Sequence, residues 1–145
     1  MSHVANVALE VKDLDCLGKA ATRLGMWMKQ QPTYKWWGHS VGDYPLPAGF
    51  TKDDLGKCEY AIGVPGNDKA YEVGVVKRRD GKPGYLLQWD FYAGGYGLQE
   101  KVGVDCNLLK QAYGTEVAAK ELRKKGFRVQ EQQRQDGSIR LLATK

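Results

Sequence analysis

The sequence predicts an α+β fold, in which a mostly antiparallel sheet has two amphipathic helices packed on one face. Several segments alternate apolar and polar residues with period 2, as half-buried strands do. Two other segments repeat apolar residues at three- and four-residue steps, which is typical of helices. Asp-Gly pairs between strands favour hairpins, and hairpins pair strands antiparallel. The chain has 145 residues without repeats or linkers, so residues 1–145 are predicted to be one domain.

The first elements follow from the N-terminal third of the chain. Alternation over residues 4–12 predicts a strand. Asp13 can cap a following helix, because its carboxylate accepts the free amide hydrogens of a first turn. The apolar stripe of that helix ends at Leu24, where Gly25 suits the left-handed C-terminal position. Residues 26–31 are predicted to form a second strand.

Residues 32–56 are predicted to be a long loop rich in proline, glycine and aromatic residues. Its large side chains are Tyr34, Trp36, Trp37, Tyr44 and Phe50. Loops of this length are uncommon in compact domains and often carry function. Two interpretations stay open: the aromatic residues fold back to cover one end of the sheet, or they form a binding surface.

The remaining elements are three strands, a helix and a hairpin. The strands are predicted at residues 58–64, 71–75 and 85–91. A long helix is predicted from about Cys106 to Lys125, with Asp105 as a cap and with a buried face of Leu108, Ala112, Ala119 and Leu122. Gly114 weakens this helix by about 1 kcal/mol relative to Ala and allows a kink. Residues 98–104 show no helical pattern, and Asp136-Gly137 predicts a C-terminal hairpin turn.

Short motifs spread along the chain resemble a family of small hypothetical proteins of cyanobacteria, red-algal plastids and phages, a domain of unknown function. They are Met1-Ser2-His3, Val11-Lys12-Asp13-Leu14-Asp15, Cys58-Glu59-Tyr60-Ala61-Ile62, Tyr71-Glu72-Val73-Gly74-Val75, Trp89-Asp90, Gln111-Ala112-Tyr113 and Asp136-Gly137-Ser138-Ile139-Arg140-Leu141. The resemblance implies a single α+β domain of cyanobacterial or phage origin. It implies no catalytic residues, and the proline-rich loop departs from the family pattern.

Cysteine and histidine are too scattered to predict a metal site, a cofactor or a disulfide framework. The three cysteines, Cys16, Cys58 and Cys106, lie far apart, and His3 and His39 are the only histidines. The N-terminus lacks the features of a signal peptide, and no apolar run is long enough to span a membrane. We therefore expect a cytoplasmic protein with reduced thiols.

The net charge of +5 is unevenly distributed. The last 31 residues hold eight basic and four acidic residues, and residues 77–82 hold four basic residues and one acid. Such asymmetry favours encounters with nucleic acid or acidic proteins. The tip residues Lys77, Arg78, Arg79 and Lys82, together with Trp36 and Trp37, are the predicted partner-binding residues.

The leading hypothesis is a non-enzymatic binding protein or regulator, of phage or host, that engages a protein partner through these residues. The first alternative is nucleic-acid binding through the same basic hairpin and aromatic loop. The second is an enzyme acting on a small anionic substrate near His39 or the glycine-rich turn, although a small-molecule substrate is less expected than a macromolecule. In that turn Gly94, Gly95 and Gly97 form a weak candidate anion site, since glycine lets backbone amides approach a phosphate.

Overall fold

A five-stranded antiparallel sheet forms the centre of the structure, a computed structural model that describes residues 4–38 and 46–145. Its strands are β1 (Val4–Asn6), β2 (Trp27–Gln30), β3 (Tyr60–Gly63), β4 (Val73–Lys77) and β5 (Tyr85–Asp90). In space they lie in the order β1-β5-β4-β3-β2, and every neighbouring pair is antiparallel. The predicted α+β class and antiparallel sheet are confirmed, although β1 is shorter than the alternation over residues 4–12 suggested.

Two helices cover one face of this sheet. They are α1 (Leu14–Arg23) and α3 (Asn107–Lys124), and they also pack against each other. The core between helices and sheet is completely buried, and includes Leu17, Ile62, Val73, Val75, Leu87 and Leu109. Burial of these side chains contributes roughly 1.5–3 kcal/mol each before the opposing conformational entropy is counted.

The ends of α1 form as the sequence predicts. Asp13 caps the helix by accepting a hydrogen bond from the Cys16 amide. Gly25 has φ 72° and lets the Met26 amide donate back to the Ala21 carbonyl, which closes the helix with a Schellman motif. The Tyr113 hydroxyl of α3 accepts hydrogen bonds from the amides of Lys12 and Asp13, so the cap also ties the two helices together.

The start of α3 differs from the prediction. Asp105 does not cap the helix, because Asp105 and Cys106 both have left-handed backbones, with φ 54° and 57°, and no side chain caps the first turn. Leu109, not Leu108, lies in the core, and Leu108 is exposed. The helix continues without a break through Gly114. Upstream of it, residues 98–102 form a short helix, α2 (Leu98–Val102), where the sequence showed no helical pattern.

The other face of the sheet is covered by the aromatic loop. Tyr34 is buried, and its ring lies so close to Gly74 that a Cβ at that position would overlap it. The Tyr34 hydroxyl donates to Gln88 Oε1, and Gln88 Nε2 donates to Asn6 Oδ1. A chain of polar contacts therefore joins the loop to β5 and β1, and the prediction that these aromatic residues fold back over the sheet is confirmed for Tyr34.

The C-terminal hairpin forms its own two-stranded sheet. Its strands are β6 (Arg128–Gln133) and β7 (Ile139–Thr144), joined by the predicted turn, in which Gly137 has φ 86°. One face of the hairpin packs on α3, where Gln111 Nε2 donates to the Gly137 carbonyl. Glu131 on this face accepts two hydrogen bonds from Arg23 of α1.

None of the helices in the described ranges is both long and apolar enough to cross a bilayer. Within the same ranges, no group of three or more His, Cys, Asp or Glu residues is arranged to hold a metal ion. The three cysteines are free thiols, and burial raises the pKa of Cys58 and of Cys106 to about 12, so neither is disposed to act as a thiolate.

Candidate functional site

One buried carboxylate, that of Asp90, brings together two chain segments at the end of β5. Asp90 is completely buried. Its Oδ2 accepts a hydrogen bond from the Trp37 amide at 3.1 Å, and its Oδ1 accepts one from the Tyr92 amide at 3.1 Å. Because both bonds use backbone nitrogens, the positions of Trp37 and Tyr92 are fixed independently of their side chains.

The turn after Tyr92 places a second tyrosine beside it. Residues 93–96 all have left-handed backbones, with φ between 51° and 65°, so the chain makes one left-handed turn. The Tyr96 ring meets the rings of Tyr92 and of the buried Tyr71 edge-on, with centroids 6.4 Å and 5.1 Å apart. The Tyr71 amide donates to the Gly95 carbonyl, which holds the turn against the start of β4.

Trp37, Tyr92 and Tyr96 form what we call the aromatic patch. Their exposed fractions are 47%, 37% and 44%, and they are three of the five large hydrophobic side chains that are exposed among the described residues. Exposing a large aromatic side chain forgoes the free energy that its burial would contribute to folding or to binding. The aromatic patch is therefore the strongest candidate binding surface among the residues that the structure describes.

The two predicted tryptophans have different environments. Trp36 is half-buried, and its indole nitrogen lies so close to Gly56 that there is no room for a Cβ there. Trp37 is exposed. The segment that carries them is firmly held: the Tyr34 amide donates to the Gly56 carbonyl, and the Lys35 amide donates to Glu72. Trp36 thus packs within the protein, while the Trp37 side chain is partly exposed to solvent.

The predicted basic hairpin does not present a free cluster of positive charge. Arg78 is almost buried and forms ion pairs with Glu10 and Asp80, which raise its pKa, while Arg78 lowers the pKa of Asp80 to about 2. Arg79 pairs with Asp54 and lies over the Phe50 ring. The two arginines hold neighbouring loops in place, and only the lysines Lys77 and Lys82 at this tip point into solvent without such contacts.

The glycine-rich turn is closed rather than open. The Gly94 amide donates to the Phe91 carbonyl, and Gly95 is buried against Leu98. The helix that follows Gly97 has five residues, too few for a helix dipole of any strength. In the structure Gly94, Gly95 and Gly97 belong to the turn that places Tyr96 beside Tyr92. The weak anion site at these glycines stays a prediction.

The cavities among the described residues include four of 360 to 630 Å³. They are lined by residues of α1, α3, the C-terminal hairpin and the β1 edge, and none of the four is lined by residues of the glycine-rich turn. His39, near which the enzyme alternative was placed, lies outside the described residues, as do His3 and Tyr44.

Sequence reasoning found Trp37 but missed Tyr92 and Tyr96. The motif Tyr92-Ala93-Gly94-Gly95-Tyr96-Gly97 could have indicated them, because its glycines permit a left-handed turn between the two tyrosines. The sequence could not show that Asp90 contacts Trp37, because the two residues are 53 positions apart.

Comparison with known proteins gives this chain no relative from which a role could be transferred. No protein-family model, no curated protein and no solved structure matches it. The resemblance drawn from its short motifs therefore stays an expectation, and the function has to be argued from the chain's own residues.

Proposed function

We propose that the protein is a non-enzymatic binding protein that engages a protein partner through the aromatic patch. The observation that supports this most directly is the buried Asp90 carboxylate, which holds the backbones of Trp37 and Tyr92 while their side chains stay partly exposed. A buried carboxylate is costly unless its hydrogen bonds are made, and here two of them are made to the backbone beneath partly exposed aromatic side chains. Such a surface suits a small regulator or inhibitor.

The composition of the patch favours protein over other ligands. Tryptophan and tyrosine are enriched among interface hot spots, where they supply large contact areas at a low cost in conformational entropy. The rigid anchoring of Trp37 lowers that cost further, because the binding conformation is already in place.

The basic tip at residues 77–82 is less suited to this role than the sequence suggested. Arg78 and Arg79 already hold carboxylates of the same chain, so a partner would have to replace those contacts. The nucleic-acid alternative that used the same tip loses its two arginines for the same reason, and we restrict the proposed protein-binding surface to the aromatic patch.

The test is affinity capture from a nuclease-treated lysate of the source organism with four baits: the wild-type chain, Trp37→Ala, Tyr96→Ala and a control variant. We expect a protein that the wild type retains and both variants lose. In a titration of that partner, each substitution should weaken binding about 30-fold, the effect of removing a hot spot of about 2 kcal/mol. The Asp90 contact uses the Trp37 backbone amide, which Trp37→Ala keeps, and thermal unfolding of both variants checks that they are folded.

Leu108→Ala is the matched control, because Leu108 is also an exposed large apolar residue but lies on α3. It should retain the partner. Recovery of the same proteins by all baits, or a partner lost equally with Leu108→Ala, would show that the aromatic patch is not the binding surface.

A further inference from the structure

A second surface, on the C-terminal hairpin, goes beyond this function. The hairpin strands alternate between a face that packs on the helices and a face that points outward. Glu131, Gln133 and Ile139 lie on the inward face, where they line a cavity with Arg23 and Leu108. The register of the two strands then places six side chains on the other face: Arg128, Gln130, Gln132, Arg140, Leu142 and Thr144. Five of the six are exposed, and Leu142 is half-buried.

This outward face is positive because it carries Arg128 and Arg140 and no acid, while Glu131 lies on the inward face. Glu116 and Glu131 both pair with Arg23, and Asp136 accepts hydrogen bonds from the amide and hydroxyl of Ser138. Across residues 4–38 and 46–145, no carboxylate lies within ion-pair distance of Arg128, Arg134 or Arg140. The exposed Arg123 and Lys125 at the end of α3 add positive charge beside the hairpin. These arginines and Lys125 are the part of the basic C-terminal third whose positive charge is not paired with an acid among the described residues.

We propose that the outward face of the β6–β7 hairpin binds duplex DNA, with the two strands lying in the major groove. The major groove admits a two-stranded β-ribbon. Neighbouring side chains on one face of a strand are about 6.6–6.8 Å apart, which matches two base-pair steps of about 3.4 Å. The face carries no acid that would repel the phosphates.

The residue types on the face are those that contact base edges. Arginine pairs with guanine and glutamine with adenine, each through two hydrogen bonds, while leucine and threonine can contact the thymine methyl group. Gln132 and Arg140 are opposite each other across the strands, as are Gln130 and Leu142, so successive rungs of the ribbon offer different chemistry. Arg134 near the turn and Lys125 at the base are placed for phosphates on either side.

The first test is a fluorescence-anisotropy titration with a labelled DNA duplex of about two helical turns. The wild type should bind, with an affinity that falls steeply between about 50 and 200 mM salt as counterions are released. The double variant Arg128→Ala/Arg140→Ala should weaken binding at least tenfold. Lys77→Ala/Lys82→Ala removes the same two charges elsewhere and should change affinity less than twofold. Equal losses in the two double variants would overturn the proposal, since net charge alone would then explain binding.

The second test separates reading of the groove from contact with phosphates. In Gln130→Ala/Gln132→Ala, the preference between A·T-rich and G·C-rich duplexes should fall while the salt dependence stays as in the wild type. An unchanged preference, or tighter binding of single-stranded DNA, of RNA or of a polyglutamate peptide than of the duplex, would overturn the assignment. Trp37→Ala should bind the duplex as the wild type does, so this surface can be tested apart from the aromatic patch.

Discussion

The structure requires a residue without a side chain at Gly74, which lies within β4. It is buried on the face of the sheet that the aromatic loop covers, and the Tyr34 ring occupies the space where a Cβ would be. Tyr34 in turn makes the buried hydrogen bond to Gln88, and burial raises the pKa of the Tyr34 hydroxyl to about 12. The attachment of the loop to the sheet therefore depends on the absence of one methyl group.

We expect Gly74→Ala to lower the free energy of unfolding by roughly 1–3 kcal/mol, because the added carbon forces the Tyr34 ring out of its place. Gly114→Ala is the matched change in open space on α3 and should raise the free energy of unfolding by up to about 1 kcal/mol. Urea unfolding of both variants measures this. A neutral Gly74→Ala would mean that the loop is not packed on the sheet as described.

Asp13 makes stability depend on pH. The Lys120 ammonium and the Cys16 amide hold the pKa of its carboxyl at about 2, below its ordinary value of 3.8. Because the folded state has the lower pKa, the stabilisation by the charged form is complete above about pH 4 and is lost as the pH falls towards 2.

Asp13→Asn should keep the helix cap and lose the charge contact with Lys120. We expect the variant to be less stable than the wild type by a constant amount from pH 7 to about pH 4, and the difference to close between pH 4 and 2. Urea midpoints at several pH values measure it. A difference that persists unchanged at pH 2 would show that the Asp13 charge is not what the substitution removes.

Residue roles that depend on local geometry were predictable, and those that depend on backbone conformation were not. Asp13 and Gly25 at the ends of α1 followed from capping rules. Asp105 has a typical capping side chain, but its left-handed backbone turns the chain before α3, which also moves the buried position from Leu108 to Leu109. Single-residue propensities carry no information about such a turn.

At the scale of elements, the left-handed turn at residues 93–96 is the least expected. A non-glycine residue in this conformation costs roughly 1–2 kcal/mol. Ala93 and Tyr96 are both in it, and Tyr96 is a member of the aromatic patch. Strain of this kind is retained where surrounding contacts require it.

Ala93→Gly should raise the free energy of unfolding by about 0.5–1 kcal/mol, since glycine adopts positive φ without steric cost. The same change at the exposed Ala118 of α3 should lower it by about 1 kcal/mol. Thermal unfolding compares the two. A destabilised Ala93→Gly would contradict a left-handed turn at this position.

Helices and strands were predicted well wherever the periodic pattern of apolar residues extends over enough positions to be recognised. The strands β3 and β5 and the helices α1 and α3 lie within the segments that periodicity marked, while β4 (Val73–Lys77) starts and ends two residues later than the strand predicted at 71–75. The short helix α2 was missed because five residues, Leu98–Val102, span little more than one helical turn, and its two buried residues do not make a recognisable stripe.

At the scale of the molecule, the fold could be predicted from local patterns but the candidate site could not. The aromatic patch exists because Asp90 joins the loop after β2 to the turn after β5, and no local pattern reports contacts between such distant segments. The basic tip looked like a site because its arginines are close in sequence. Their partners Glu10 and Asp54 lie elsewhere in the chain, and they change the interpretation.

The place of β1 beside β5 determines the order in which the sheet can be completed during synthesis. Strands β3, β4 and β5 each pair with the strand made just before, so β2 to β5 can associate as they leave the ribosome. Asn6 in β1 waits for Gln88, which is 82 residues later. At translation rates of about 5–20 residues per second, that wait is about 4–16 s. Of the five strands, β1 is therefore made first, and the β1 edge is the last part of the sheet that can form, because its partner β5 is made last.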